Sequence, residues 1–311
     1  MKRLLLMLLV LALLASTCLV SCRRDAAHHQ SNGSTDGSSA DSLQNSTPIK
    51  YSEGLEYKLS EDRTYMILCG IGSCKDTTIA IPPTYNDLPV KEIENGAFGV
   101  RLLDNTSYIR EVIIPDSVVK IGADAFHNCE YLSKVHIGRG VEVIGVDAFD
   151  DCSEPLNIYI KDMAAFCTMM MGNDSVGNCW GGEYNLYLNN ALVENLSIPD
   201  SITKIEKEIF RSCISLKKVT VGKSVAEIGE LAFCGCKNLS EVKLNASLQS
   251  IGQSAFRSCN VLAKITFEDA SGWKVVSSLD TIFLSSSDLS SPSTAAKYLA
   301  SDYSFYSWTK N

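Results

Sequence analysis

Val112-Ile113-Ile114-Pro115-Asp116-Ser117-Val118-Val119-Lys120-Ile121-Gly122-Ala123-Asp124-Ala125-Phe126 decides how the rest of the chain is read. Val112 and Ile114 alternate as the inward side chains of a short strand. Pro115-Asp116-Ser117 supplies turn chemistry that ends it. Val118 and Ile121 return to the core, Gly122 is expected to make a tight backbone turn, and Ala125-Phe126 begins the return arc. The closing hexamer 121–126 recurs at 93–98, 144–149, 205–210, 228–233 and 251–256. Its phenylalanines lie 28, 23, 61, 23 and 23 residues apart, so the unit is 23 residues with one short and one long interruption. A period of that size belongs to stacked repeats, none of which can bury its apolar face alone. An elongated solenoid follows.

Other positions keep the same offsets. Three residues after the Phe stand Cys129, Cys152, Cys213, Cys236 and Cys259. Inward strand pairs recur as Val135/Ile137, Ile158/Ile160, Val219/Val221, Val242/Leu244 and Ile265/Phe267. The aligned phenylalanines are expected to form an internal spine. The strands are expected to form one parallel sheet, about 4.8 Å apart. One structural position shared by five of the six repeats also explains the five cysteines, as a ladder of small buried thiols.

The Ile-Pro-Asp-Ser-Val stretch (with 198–202 as a second copy), the Ile-Gly-x-x-Ala-Phe hexamers and the following Cys together resemble the BspA-like leucine-rich repeats of bacterial surface proteins. The resemblance runs from about Gly54 to the C-terminus. The hexamers 93–98 and 205–210 carry Glu for Gly, and the latter Ile for Ala. The resemblance implies an α/β-type leucine-rich repeat solenoid, its short parallel strands forming an open curved sheet with a cap at each end. On this reading 51–92 is the N-terminal cap and first coil, and 93–267 the solenoid, with an irregular enlarged coil at 161–195 bulging from one edge. Residues 268–311 form the C-terminal cap, with a helix expected over 293–300.

The first 22 residues read as a lipoprotein signal peptide. Lys2 and Arg3 precede an apolar run at 4–15, too short to span a bilayer. Leu19-Val20-Ser21-Cys22 resembles the cleavage box whose Cys accepts the lipid, with Cys18 a rival acceptor and an ordinary secretory signal the plainer alternative. Residues 23–50 read as a disordered tether, rich in Ser, Gly, Asn, Asp and Gln. His28 and His29 are solvated there. Arg23 after the acceptor points, by resemblance to sorting signals, to the outer membrane, with exposure at the cell surface.

The whole chain carries a net charge of −8. Removing Lys2 and Arg3 leaves 26 of the 28 basic residues against 36 acidic ones, a balance of −10. Nucleic acid is not the expected partner. No His-Glu-x-x-His, Gly-x-Ser-x-Gly or P-loop occurs, and Gly70-x-Gly72 lacks a third glycine. No enzymatic activity, metal or cofactor is expected. Cys69 and Cys74 flank a Gly70-Ile71-Gly72-Ser73 turn and are candidates for a hairpin disulfide. Cys167 and Cys179 are candidates for a staple across the enlarged coil.

Binding residues are sought on the outward face of the sheet. One outward row is Glu111, Lys134, Asn157, Lys218, Glu241 and Lys264. The neighbouring row is Ile113, His136, Tyr159, Thr220, Lys243 and Thr266. Ile113, His136 and Tyr159 make a mixed apolar and polar patch, while Lys218, Lys243 and Lys264 make the other end positive. The coil at 162–183, with Trp180, is a second candidate surface. The expected function is lipid-anchored adhesion to host matrix, host cell-surface or bacterial surface proteins. A glycan-capturing lipoprotein using Tyr159, His136 and Trp180, or a structural envelope component, are the alternatives.

Overall fold

Each repeat folds into two short strands, where the sequence pattern shows only one. A computed structural model describes residues 49–99, 108–172 and 179–310, which fall within one compact unit, Ile49–Asn311. The expected signal peptide, Cys22, Cys18 and almost all of the expected tether lie outside the described residues. The first, longer strand of each coil builds an outer ladder. Thr78–Ala80, Glu111–Ile113, Lys134–Ile137, Leu156–Ile160 and Tyr184–Leu188 pair in parallel along it. Asn195–Ser197, Lys218–Thr220, Glu241–Leu244 and Lys264–Phe267 form a separate parallel sheet in the later coils.

The second strand is a dipeptide. Lys120–Ile121, Val143–Ile144 and Met170–Met171 stack in parallel on Leu88–Ile93, and Lys204–Ile205, Glu227–Ile228 and Ser250–Ile251 stack on one another. Two residues are too few to show an alternation in sequence, so this ladder escapes pattern reading. In register, Val112, Val135, Ile158 and Leu186 turn inward and are fully buried. Ile121, Ile144, Ile205 and Ile228 do the same from the second ladder. The result is a β-solenoid of stacked parallel strands with little helix.

Aromatic rings run through its core. Phe98, Phe126 and Phe149 stack at 4.8 and 5.1 Å, within 6° of coplanar; Phe210, Phe233 and Phe256 stack at 5.2 and 5.3 Å, within 8°. These spacings match the separation of neighbouring strands. The long interruption hides another coil. Met171 pairs with Ile144, and Trp180 stacks on Phe149 at 5.5 Å, where the next Phe would stand. Phe166, from the helix Met163–Cys167, then contacts Trp180 at 6.3 Å and Phe210 at 5.7 Å, carrying the spine across. Trp180 is only 1% exposed. It is a core residue, not the surface side chain expected of a bulge.

Gly122 stands immediately before the turn at 123–128 and is not itself left-handed. A Cβ there would stand 2.5 Å from the Asn95 amide nitrogen, and one on Gly145 would stand 2.3 Å from that of Ala123. Close approach of the neighbouring coil therefore requires glycine. Left-handed backbone falls two residues later instead, at Asp124, Asp147, Glu208, Leu231 and Ser254, with φ between 53° and 61°.

At one end, Glu56–Leu59 pairs antiparallel with Met66–Gly70. At the other, Ser307–Lys310 pairs antiparallel with both Ser250–Ile251 and Trp273–Val276. The helix expected over 293–300 spans Pro292–Lys297 and continues as a wider π-turn, Tyr298–Asp302. No described helix is long and apolar enough to cross a membrane.

Two stability measurements follow. Phe233→Ala, in the fully buried stack, should lower unfolding free energy by about 3–5 kcal/mol in urea titration. Leu231→Asn should raise it by about 1 kcal/mol, because a leucine at φ 56° occupies backbone that asparagine tolerates at lower cost.

Candidate functional site

The outward side chains of the outer ladder are set by strand alternation. Thr78, Glu111, Lys134, Asn157 and Asn185 form one row, and Ala80, Ile113, His136, Tyr159 and Tyr187 the next. The second row ends at Leu192, which pairs with Tyr187 from an antiparallel hairpin strand, Ala191–Leu192. In this row the rings stack as they do in the core. His136 lies 4.5 Å from Tyr159 at 15°, and Tyr159 lies 4.6 Å from Tyr187 at 17°.

Such stacking decides what the row offers. Tyr159 has a ring on each face, so only its edge and hydroxyl meet solvent. His136 Nε2 lies 2.8 Å from Glu111 Oε1, which fixes the imidazole edge-on. Partial burial, then Tyr187 and Glu111, push the Tyr159 hydroxyl above its usual pKa, so it stays protonated. Asn157 donates to the Ser133 carbonyl at 3.0 Å, and Asn185 donates to the Asn157 side-chain oxygen at 3.2 Å. The rows form a comb of ring edges, hydroxyls and amides. Tyr187 was not singled out from sequence, although the alternation in 184–188 places it beside Tyr159.

Sequence alignment joins Asn157 directly to Lys218, and the structure corrects this. The row from Asn157 continues to Asn185 and stops at the hairpin. Lys218 instead has Asn195 beside it, in the other sheet. Val193 donates to the Leu186 carbonyl at 2.8 Å, so the hairpin covers the edge of the first sheet. A cleft of about 480 Å³ marks the break, lined by Met163, Leu188 and residues 191–197.

The later rows have a different chemistry. Lys218 and Lys264 flank Glu241 at 3.3 and 2.7 Å, and Lys243 meets Glu268 at 2.8 Å. Hydrogen bonds from these lysines hold both carboxyls below their usual range. Thr220 and Thr266 complete the second row. The lysines are neutralised, so this end is a solvated ladder of ion pairs, each contributing little.

The cysteines have a structural role that sequence alone does not reveal. Cys129, Cys152, Cys236 and Cys259 donate Sγ–H to the carbonyls of Phe98, Phe126, Phe210 and Phe233, one coil back, at 3.1–3.4 Å. Burial pushes the thiols of Cys129 and Cys259 up to about 12. Of the candidate disulfide partners, Cys74, Cys167 and Cys179 stand as buried thiols. Cys69 Sγ lies 3.5 Å from the Ile67 carbonyl, and Cys179 Sγ lies 3.1 Å from Met171 Sδ. Among the described residues, one group brings possible metal ligands together: atoms of His127, Asp150 and Asp151 lie within 4.8 Å of one another. Asp151 is exposed. Burial, then Asp150 and Asp124, raise the pKa of neighbouring Asp147.

Two ladders of parallel strands around an aromatic spine, with side chains repeating coil by coil, define a leucine-rich repeat scaffold. The model of the BspA type leucine rich repeat region matches residues 73–168 and 183–309 in six copies, and the chain belongs to that family. No curated protein matches. Among solved structures, the chain is similar to a leucine-rich repeat protein of T. pallidum (25% identity, 70% of this chain and 90% of that one, TM-score 0.47). It is also similar to a leucine-rich cell surface protein of Faecalibacterium prausnitzii A2-165 (26% identity, 74% of this chain and 57% of that one, TM-score 0.49). Leucine-rich repeat domains generally mediate protein–protein binding, and BspA-like members are bacterial cell-surface proteins.

The thiol ladder yields a chemical test. At pH 8 the folded protein should leave Cys129, Cys236 and Cys259 unmodified by a thiol reagent, because thiolate is the reactive form. After unfolding in guanidinium, peptide mapping should find all three labelled.

Proposed function

We propose that the chain is a lipid-anchored, adhesin-like protein of the bacterial outer surface, which binds host or bacterial surface proteins through the outer ladder at residues 111–192. Cys22 is the proposed lipid acceptor. The observation that carries the reading is the ring row His136–Tyr159–Tyr187, flanked by Ile113 and by Leu192, which is 44% exposed. A stacked row costs little further ordering on binding and spreads contact over several coils, as suits a protein surface.

Glycan capture fits this row less well. Sugars pack on open aromatic faces, and here the faces of Tyr159 are covered by His136 and Tyr187, while Trp180 is buried in the core. The row Lys218, Glu241, Lys264 with Thr220, Lys243 and Thr266 is assigned no contact of its own, because its charges pair internally.

The test is capture. The purified chain should retain one or more host matrix, host cell-surface or bacterial surface proteins. The triple variant Ile113→Ala, His136→Ala, Tyr159→Ala should bind them at least about tenfold more weakly, a loss of about 1.4 kcal/mol or more. Unchanged binding by the variant, or binding on a glycan array alone, would refute this assignment.

A further inference from the structure

The two outward ladders differ in how their lysines are neutralised. In the later coils Lys218, Lys243 and Lys264 each have a carboxylate within 3.3 Å. In the earlier coils Lys134 stands directly opposite Glu111 in register, the ordinary position for a cross-strand ion pair. Glu111 turns away from it. Its Oε1 meets His136 at 2.8 Å, and its Oε2 accepts from Thr78 at 3.3 Å. Lys134 is exposed, and no ion pair involves it among the described residues.

Lys161 repeats the situation. It lies one residue past the end of the strand Leu156–Ile160 and two beyond Tyr159, is exposed, and likewise makes no ion pair among the described residues. The adjacent Asp162 is occupied as the cap of the helix Met163–Cys167, accepting from the Ala164 and Ala165 amides at 2.8 and 3.1 Å. Lys134 and Lys161 therefore bracket the rings diagonally. Lys134 pairs with Asn157, four residues before Lys161, so ordinary strand dimensions put their Cα atoms about 14 Å apart. Between them lie ring edges, which carry the positive part of the aromatic quadrupole. The Tyr hydroxyls add donors. Ile113 and Leu192 close the row with apolar contact.

On the protein-binding reading above, we infer that this face takes an acidic polypeptide segment. Its carboxylates, about 14 Å apart, pair with Lys134 and Lys161, and the side chains between them lie across the ring edges of His136 and Tyr159. The chain as a whole is acidic, at −8, so this attraction is local and acts within a Debye length of about 8 Å at physiological salt. Binding is accordingly weakened by salt.

The probe is a random dodecapeptide display library selected on the full chain, with the isolated peptides titrated afterwards. Selected peptides should be enriched in Asp and Glu, and the double variant Lys134→Glu, Lys161→Glu should bind them at least about tenfold more weakly. A second variant, Tyr159→Ala with Tyr187→Ala, separates the two levels of the argument. Peptides that lose binding to it, yet bind the lysine variant unchanged, overturn the acidic partner and leave the face standing. Peptides that bind both variants unchanged overturn the face as well. A library that yields no binder, or selected peptides without acidic enrichment, overturns the inference, as does binding confined to sulfated or uronate glycans on an array.

Discussion

The spacing of one coil from the next governs everything else in this molecule. Backbone hydrogen bonds fix it in two parallel ladders, and the phenyl rings accept it because their stacking distance is nearly the same. That coincidence lets one aromatic ring per coil fill the core without tilting. It also dictates which other side chains fit. Only glycine leaves room where Gly122 and Gly145 meet the previous coil. A small thiol at Phe+3 reaches the carbonyl one coil back. Cysteine here packs like a small apolar residue while donating a weak hydrogen bond, two demands that alanine and serine each meet only in part.

Much of this was legible in the sequence, because a repeat averages over its own exceptions. The spine, the inward strand residues and the family were all readable from the hexamers and their offsets. Three features were not fully so. The second ladder is made of dipeptides such as Lys120–Ile121, too short for periodicity to register. The coil around Trp180 was hidden because indole and Met171 replace the expected Phe and Ile, filling the same space with different letters. The reason for glycine at Gly122 was only partly legible: a tight turn does follow it, but what excludes a side chain there is the close approach of the neighbouring coil. The left-handed positions themselves carry Asp, Glu, Leu or Ser, so no single residue type announces them.

The outward face shows the same limit more sharply. Alternation named His136 and Tyr159 correctly as outward neighbours, since register within a parallel ladder follows from the period alone. It failed at the hairpin 189–194, where sequence counting carries the row across a break in the hydrogen-bonded sheet. The equivalence of Asn157 and Lys218 was an equivalence of repeat position, not of space. What lies beside Tyr159 is Tyr187, from a strand whose coil departs from the consensus.

That break divides the surface into halves with opposite habits. In the later half the carboxylates of Glu241 and Glu268 are taken up by lysines across the ladder, leaving a face whose charges are satisfied before any partner arrives. In the earlier half, Glu111 serves His136, and the rings use their faces on one another. A residue that has met its needs internally is held still but has little left to give. In the earlier half the opposite remains: hydroxyls and ring edges held in place by partners on their other sides, beside exposed cations that make no ion pair among the described residues. Rigid support from within, combined with unmet chemistry outward, is the condition under which a solenoid face becomes selective.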